Sequence, residues 1–200
     1  MKAVLFMPLI LLSAACAAQG AQLSKSYSYF SIGGSNLDEI EQELDRNGPN
    51  VGSTGQRHPG ATRMEFNTKL TWKEKGDTCR MSAAHVTLKV KVILPRWKPG
   101  SKTDSETRFV WNTLAADIKR HEESHVIIAK NHARELEDAL RKVGPYKSCA
   151  QVKQRAALLT KRILDKHERA QQRFDRIESA GFEKRLHKLL EYRWRKANDS

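Results

Sequence analysis

Apolar and polar residues alternate along two stretches in the first half of the chain. The apolar positions are Met64, Phe66, Leu70 and Trp72 in the first stretch, and Val86, Leu88, Val90, Val92 and Leu94 in the second. A period of two residues predicts strands with one buried face. Because Gly76 and Asp77 lie between the two stretches, we expect an antiparallel hairpin. A shorter strand is predicted over residues 27–32.

Steps of three and four residues replace this alternation in the second half. One apolar stripe passes through Trp111, Leu114, Ile118, His121, His125, Ile128, His132 and Leu136. This spacing is typical of a long amphipathic helix, which we expect to start at a capping box of Thr103 and Glu106 and to end at Gly144-Pro145. Upstream, Ser35 is the expected N-cap of a short helix.

A second long helix is predicted after Cys149. Its apolar face holds Val152, Ala156, Leu159, Ile163, Ala170, Phe174 and Ile177. Gly181 is expected to interrupt it. The whole pattern predicts an α+β fold, in which a small antiparallel β-sheet packs on the first long helix and a further long helical hairpin or extension follows. We expect an α+β domain over 22–149 and a basic helical extension over 150–200 that packs on it.

The first 21 residues have the pattern of a signal peptide. Lys2 precedes an apolar run, and small residues follow that run. The run is too short to span a bilayer, so we expect removal of residues 1–21 and a secreted or periplasmic protein with no transmembrane segment. Acylation of Cys16 is the alternative. It is the weaker one because Ser13 stands where an aliphatic residue is expected.

Removal of the leader leaves Cys79 and Cys149. Two cysteines in an exported protein most simply form one disulfide, since that compartment is oxidising. A zinc site built from them is the weaker alternative, because they lack the close paired spacing of a structural zinc site.

The chain is strongly basic, with a formal net charge of +13. After residue 149, 14 lysines and arginines stand against 7 acidic residues. Such a segment is most simply a solvated helical face, since its basic residues alternate with an apolar stripe, and the alternative is that it attracts an anionic surface of the cell envelope. Nucleic acid is a poor candidate, because no aromatic residues are interleaved to stack on bases and export removes the usual target.

The candidate chemistry lies in the run His121-Glu122-Glu123-Ser124-His125. Two histidines four residues apart on a helix project from one face, so both imidazoles can reach one zinc ion. Glu122 then stands beside the fourth position, where it can act as the base toward a zinc-activated water. The alternative is a helix whose histidines pack or lie on the surface without a metal.

The run does not supply a third ligand. His132 is seven residues beyond His125, a rise of about 10.5 Å, which is too far for one ion on a straight helix. We therefore expect the ligand on another element. The candidates are Asp175, Glu168 and His167 on the following helix, and His85 or His58 upstream.

The sequence as a whole resembles a bacterial family of predicted secreted zinc-dependent proteases, known as domain of unknown function 922. The resemblance is carried by 29–34 (Tyr-Phe-Ser-Ile-Gly-Gly), 94–97 (Leu-Pro-Arg-Trp), Trp111, the run at 121–125, 133–136 (Ala-Arg-Glu-Leu) and Cys149. It implies a metal held by His121 and His125, with Glu122 as base. One departure is Ala180, which stands where relatives often carry a histidine, so the resemblance implies either weaker zinc binding or the use of Asp175 as a substitute ligand.

Together these observations indicate a secreted zinc-dependent metallohydrolase with a zincin-like domain, most simply a peptidase. Its expected cofactor is Zn²⁺ and its expected partner is a peptide or protein substrate. The alternative is a non-catalytic envelope protein with a degenerate zinc site and a basic helical docking surface.

Overall fold

The computed structural model describes residues 20–51 and 57–199, which form a mixed α+β fold. Its elements are β1 (Gln22–Ile32), α1 (Leu37–Asn47), β2 (Ala61–Lys75), β3 (Thr78–Trp97), α2 (Ser105–Arg141), α3 (Cys149–Ala180) and α4 (Phe182–Asn198). Nearly all of the predicted signal peptide, with Cys16, lies outside the described residues. None of the described helices is both long enough and apolar enough to cross a membrane.

The three strands form one sheet in the order β1-β3-β2. The predicted hairpin is confirmed, because β2 and β3 pair antiparallel around Gly76. The prediction of an antiparallel sheet was wrong, since β1 runs parallel to β3 and the sheet is mixed. Parallel pairing needs a long crossover connection, and here α1 and a further long connection follow β1 before β2 and β3 form their hairpin. It also begins earlier than predicted, at a polar segment whose main chain pairs with β3 from Gln22 onward.

The core lies between the sheet and the long helices. β3 supplies the alternating side chains of the hydrophobic pattern, including Val86, Leu88 and Val92, all at most 1% exposed. α2 covers them with fully buried residues such as Leu136. α3 adds Val152 to the same cluster. The division of the chain at residue 149 stays a prediction, but the core that fixes α2 on the sheet also includes α3.

The N-caps of α1 and α2 differ from the predicted ones by one residue, and α2 ends at Arg141, before the predicted stop at Gly144-Pro145. Asp104 caps α2 by accepting a hydrogen bond from the Thr107 amide at 2.6 Å, in place of the predicted Thr103 capping box. Asn36, the neighbour of Ser35, caps α1. Both outcomes keep the capping chemistry, because a short polar side chain one residue along the chain accepts the same kind of amide hydrogen bond.

The inner face of α3 departs from the predicted apolar stripe. Ile177 is 65% exposed, whereas His167 and Gln171 are buried. The buried face therefore turns polar after Ile163, where α3 passes the histidines of α2.

The start of α3 is tied to the sheet by a disulfide between Cys79 and Cys149, which confirms the predicted pair. Main-chain hydrogen bonds join Cys79 to Tyr146 in both directions at 2.8 Å. These links fix where α3 begins relative to β3, and so which α3 residues lie opposite the histidines of α2.

Candidate metal centre

Three side chains from two helices converge on one point. His121 and His125 project from neighbouring turns of α2, and Asp175 projects from α3. The Asp175 Oδ1 atom lies 3.0 Å from His125 Nε2 and 3.3 Å from His121 Nε2, and the two nitrogens are 3.1 Å apart. Two ligands bound at about 2.0–2.1 Å to a tetrahedral zinc lie about 3.3–3.4 Å apart. A small outward movement would therefore fit these atoms to one ion with a fourth position open.

The other α3 candidates for a third ligand do not join this cluster. Glu168 is exposed and accepts a hydrogen bond from Gln172 at 2.9 Å. His167 is buried and bonded to Gln171. Ala180, at the position where the resemblance expects a histidine, is the exposed last residue of α3 and offers no ligand atom.

The upstream candidates lie apart from the three converging atoms. His58 lines a cavity of about 300 Å³ that also includes His121 and Glu122. His85 lines a different cavity, beside Glu137 on the last part of α2. Among the described residues, His121, His125 and Asp175 are the group whose donor atoms all lie within 4.8 Å of one another.

Gln171 fixes which nitrogen of His125 carries the proton when the imidazole is neutral. Its amide nitrogen donates to the main-chain oxygen of His125 at 3.2 Å, so its Oε1 faces the imidazole and accepts from His125 Nδ1 at 2.6 Å. With the proton on Nδ1, the lone pair of Nε2 points at the cluster, as metal binding requires. The same amide nitrogen donates to His167 Nε2 at 2.8 Å. His167 therefore holds Gln171 in place.

His121 faces a network of charged groups on its other side. Its Nδ1 lies 3.6 Å from Glu178 Oε2, and Arg120 and Arg185 both pair with that carboxylate. The buried carboxylate of Asp117 accepts from Arg120 at 2.8 Å and from Arg185 at 3.2 Å. Since these residues come from α2, α3 and α4, the network fixes the three helices around His121.

Glu122 is buried beside the cluster, at 5% exposure. Thr62 of β2 donates its hydroxyl to Glu122 Oε2 at 2.7 Å. Gly60 packs on the other oxygen so closely that a Cβ there would lie 2.9 Å from Oε1. Burial raises the pKa of Glu122, and the hydrogen bond from Thr62 opposes the rise. The start of β2 thus holds this carboxylate against the motif helix.

The charged forms of His125 and Asp175 stabilise one another. Burial disfavours the charged form of His125, but hydrogen bonds to Asp175 and Gln171 raise its pKa overall. Burial likewise disfavours the Asp175 carboxylate, yet its hydrogen bonds to His121 and His125 hold its pKa below the usual range. A cation opposite an ionised carboxylate is therefore favoured at this point, and a metal ion would replace the proton in that role.

The residues that support the cluster were not predicted from the sequence. Gln171 follows His167 by four residues and precedes Asp175 by four, so a shared face of α3 was the available signal. Thr62 and Glu178 carry no such signal, because each is more than 50 residues away from the motif residue it contacts. Only the packing of β2 and α3 on α2 brings them to the cluster.

Comparison with known proteins identifies a family. The model of a family described as "Bacterial protein of unknown function (DUF922)" matches residues 27–182, more than three quarters of the chain. No curated protein and no solved structure matches the chain. The matched region includes β2, β3 and the second half of β1, and it contains the three cluster residues together with Glu122, Gln171 and Glu178. Arg185 of the supporting network lies just beyond it.

Proposed function

The chain belongs to the bacterial family of unknown function DUF922, and we propose that it acts as a zinc-dependent hydrolase of peptide bonds. The observation that carries the proposal is the convergence of His121, His125 and Asp175 beside the buried Glu122. Three protein ligands with one open position are typical of catalytic zinc, whereas structural zinc sites use four.

The donor atoms fit zinc by their chemistry. Two imidazole nitrogens and one carboxylate oxygen suit Zn²⁺, and the same set also suits iron(II) in oxygenases. Glu122 favours zinc, since a buried carboxylate next to the first histidine is the base that hydrolysis needs. When bound, the metal would supply Lewis acidity, which lowers the pKa of water and polarises a carbonyl group.

The chain's own residues would then position the reactants and move the protons. Glu122 accepts a proton from the attacking water and passes it to the leaving amine. Thr62 holds Oε2 of that carboxylate, which leaves Oε1 for the transfer. Gln171, through its hydrogen bond to His125 Nδ1, and Glu178, whose carboxylate lies 3.6 Å from His121 Nδ1, would orient the two imidazoles so that Nε2 of each is available to the ion.

A peptide is the substrate that best suits the surrounding strands. β2 is an edge strand of the described sheet, and it contacts the site through Thr62 and through Met64, whose sulfur accepts from Gln171 at 3.4 Å. An edge strand can hold an extended peptide by strand addition. The cavity of about 300 Å³ beside Glu122 would take a side chain of that peptide.

A second candidate function is a non-catalytic envelope protein that keeps only a vestige of the metal site. The excess of basic residues after residue 149 favours it, because such a surface attracts anionic partners. Under this alternative the protein cleaves no peptide, and removal of the Glu122 carboxylate leaves its binding to an anionic partner unchanged.

Metal content and turnover test the proposal together. The disulfide-intact protein should contain about one zinc per chain and cleave peptides from a fluorogenic library, and a chelator should stop that cleavage. Glu122→Gln should retain zinc and lower kcat by about 10²–10⁴-fold, the usual contribution of a general base. Glu123→Gln is the matched control, because that carboxylate pairs with Lys25 and Tyr27 away from the cluster. A protein without zinc or chelator-sensitive cleavage would contradict the proposal.

A further inference from the structure

Four basic residues form a line along α3. Lys166, Arg169, Arg173 and Arg176 follow one another at spacings of three, four and three residues, so they share one side of the helix. They line a groove of about 680 Å³ whose opposite wall is α2, with Asn131, His132 and Glu135. We refer to these four residues as the basic stripe.

Most of the charge of the basic stripe is uncompensated. Lys166 donates to both oxygens of Glu135 at 2.8 Å. Within 20–51 and 57–199, the guanidinium groups of the three arginines form no ion pair or hydrogen bond, and Glu135 is the sole acidic residue that lines the groove. Three exposed guanidinium groups thus face a concave surface without an acidic partner, which is the arrangement that attracts an anionic ligand.

The groove and the metal cluster lie at different points along the same helix pair, α2 and α3. Arg173 and Arg176 are near Asp175 in sequence, but they project from α3 about 160° and about 100° away from it. On α2, His132 follows His125 by two helical turns, a distance of about 10 Å. An extended polypeptide covers about 3.3 Å per residue, so at least about three residues would separate the cluster from the groove, and more where the polypeptide passes around α3.

We propose that the basic stripe binds an acidic segment of the substrate polypeptide, at least about three residues from the bond that is cleaved. The proposal rests on the proposed function, because it takes the cluster as the point of cleavage. A lipid surface fits less well, since a membrane-binding surface inserts large apolar side chains, whereas polar and charged residues line this groove. Arginine suits a carboxylate because its guanidinium group donates two parallel hydrogen bonds.

A binding experiment tests the stripe without requiring turnover. The Glu122→Gln protein is titrated into two fluorescein-labelled peptides of twelve residues, which differ only in four consecutive glutamates or four glutamines. In 50 mM salt we expect about tenfold tighter binding of the glutamate peptide, and we expect the preference to fall steeply at 300 mM salt. Arg169→Glu with Arg173→Glu should remove the preference.

Lys184→Glu with Lys188→Glu is the matched control. It reverses the same number of exposed charges on α4, outside the groove, and should keep the preference. Equal affinity for the two peptides would overturn the proposal. So would a stripe variant that loses binding only to vesicles with anionic headgroups, since the surface would then be a membrane contact.

A turnover experiment separates this proposal from the proposed function. With the protein otherwise unchanged, kcat/KM should favour substrates with an acidic segment three or more positions from the cleaved bond about tenfold, through KM. Arg169→Glu with Arg173→Glu should bring this ratio close to one. If neither peptide is cleaved but the binding preference and its loss are observed, the hydrolase proposal fails and the stripe remains a binding site for acidic polypeptide. If cleavage occurs without the preference, the stripe proposal fails alone.

Discussion

Two pairs of histidines lie between α2 and α3, and they have different surroundings. In the pair His121 and His125, both Nε2 atoms face Asp175 Oδ1 within 3.3 Å. In the pair His132 and His167, the rings lie 5.5 Å apart. His132 Nδ1 donates to the main-chain oxygen of Ile128 at 2.8 Å, and His167 Nε2 accepts from Gln171.

The difference shows that two neighbouring histidines are insufficient for a metal site. The first pair has a carboxylate from the opposite helix and a partner on each Nδ1 side, so both lone pairs point inward. Within the described residues, no carboxylate oxygen or third donor converges with the second pair. One nitrogen of each histidine in that pair is already engaged in supporting the helices.

The largest effect expected from this comparison is on zinc affinity. His125→Ala removes one of three ligands and should weaken zinc binding at least about a hundredfold, the upper part of the range seen for much milder changes around metal ligands. His132→Ala should change it less than about threefold. Competition of each metal-free variant with a chromophoric chelator for zinc measures the two affinities. Equal losses in the two variants would show that the pairs do not differ in function.

A smaller loss is expected when the partner of a ligand is removed. Gln171→Leu deprives His125 Nδ1 of its acceptor, and zinc affinity should fall about 10–100-fold, as is usual for partners of metal ligands. Gln172→Leu is the control, because the adjacent glutamine is exposed and contacts Glu168. If both variants bind zinc like the original protein, Gln171 does not set the protonation of His125.

The smallest effect is expected on the pH dependence of folding stability, and it comes from the pair His132 and His167. Burial lowers the pKa of His167, and nearby His132 adds to the decrease. The folded protein thus binds this proton less readily than the unfolded chain. The resulting stabilisation is complete above the ordinary histidine pKa of about 6.5 and is lost as the pH falls through the lower folded-state value.

His167→Gln should therefore reduce the fall in Tm of the metal-free protein between pH 7 and pH 5, by roughly 2–4 °C. Glutamine keeps an acceptor for Gln171. His187→Gln, on the exposed surface of α4, should leave the fall unchanged. An identical pH dependence in His167→Gln and the original protein would show that His167 titrates as it does in the unfolded chain.

The parts of the fold with a local pattern could be predicted from the sequence. The period of two in β3 and the turn at Gly76 gave the hairpin, and steps of three and four residues gave the long helices. The parallel pairing of β1 could not be predicted, because a parallel neighbour is not adjacent in sequence and leaves no turn as a mark.

The site, like the fold, could be predicted only where it has a local sequence pattern. The spacing of His121 and His125 marks two donors on one helix face. Asp175 was one of five candidates, because the choice depends on how far α3 is shifted along α2. That shift is fixed by tertiary links such as the disulfide at Cys149 and the packing of Val152. Neither link specifies in the sequence which acidic residue meets the histidines.

The most direct test of the central claim is anomalous diffraction at the zinc edge from crystals of the zinc-loaded protein. We predict one strong peak about 2.0–2.2 Å from His121 Nε2, His125 Nε2 and Asp175 Oδ1, with no second peak between His132 and His167. The absence of a peak between the first pair and Asp175, or an ion bound by the second pair, would contradict the account.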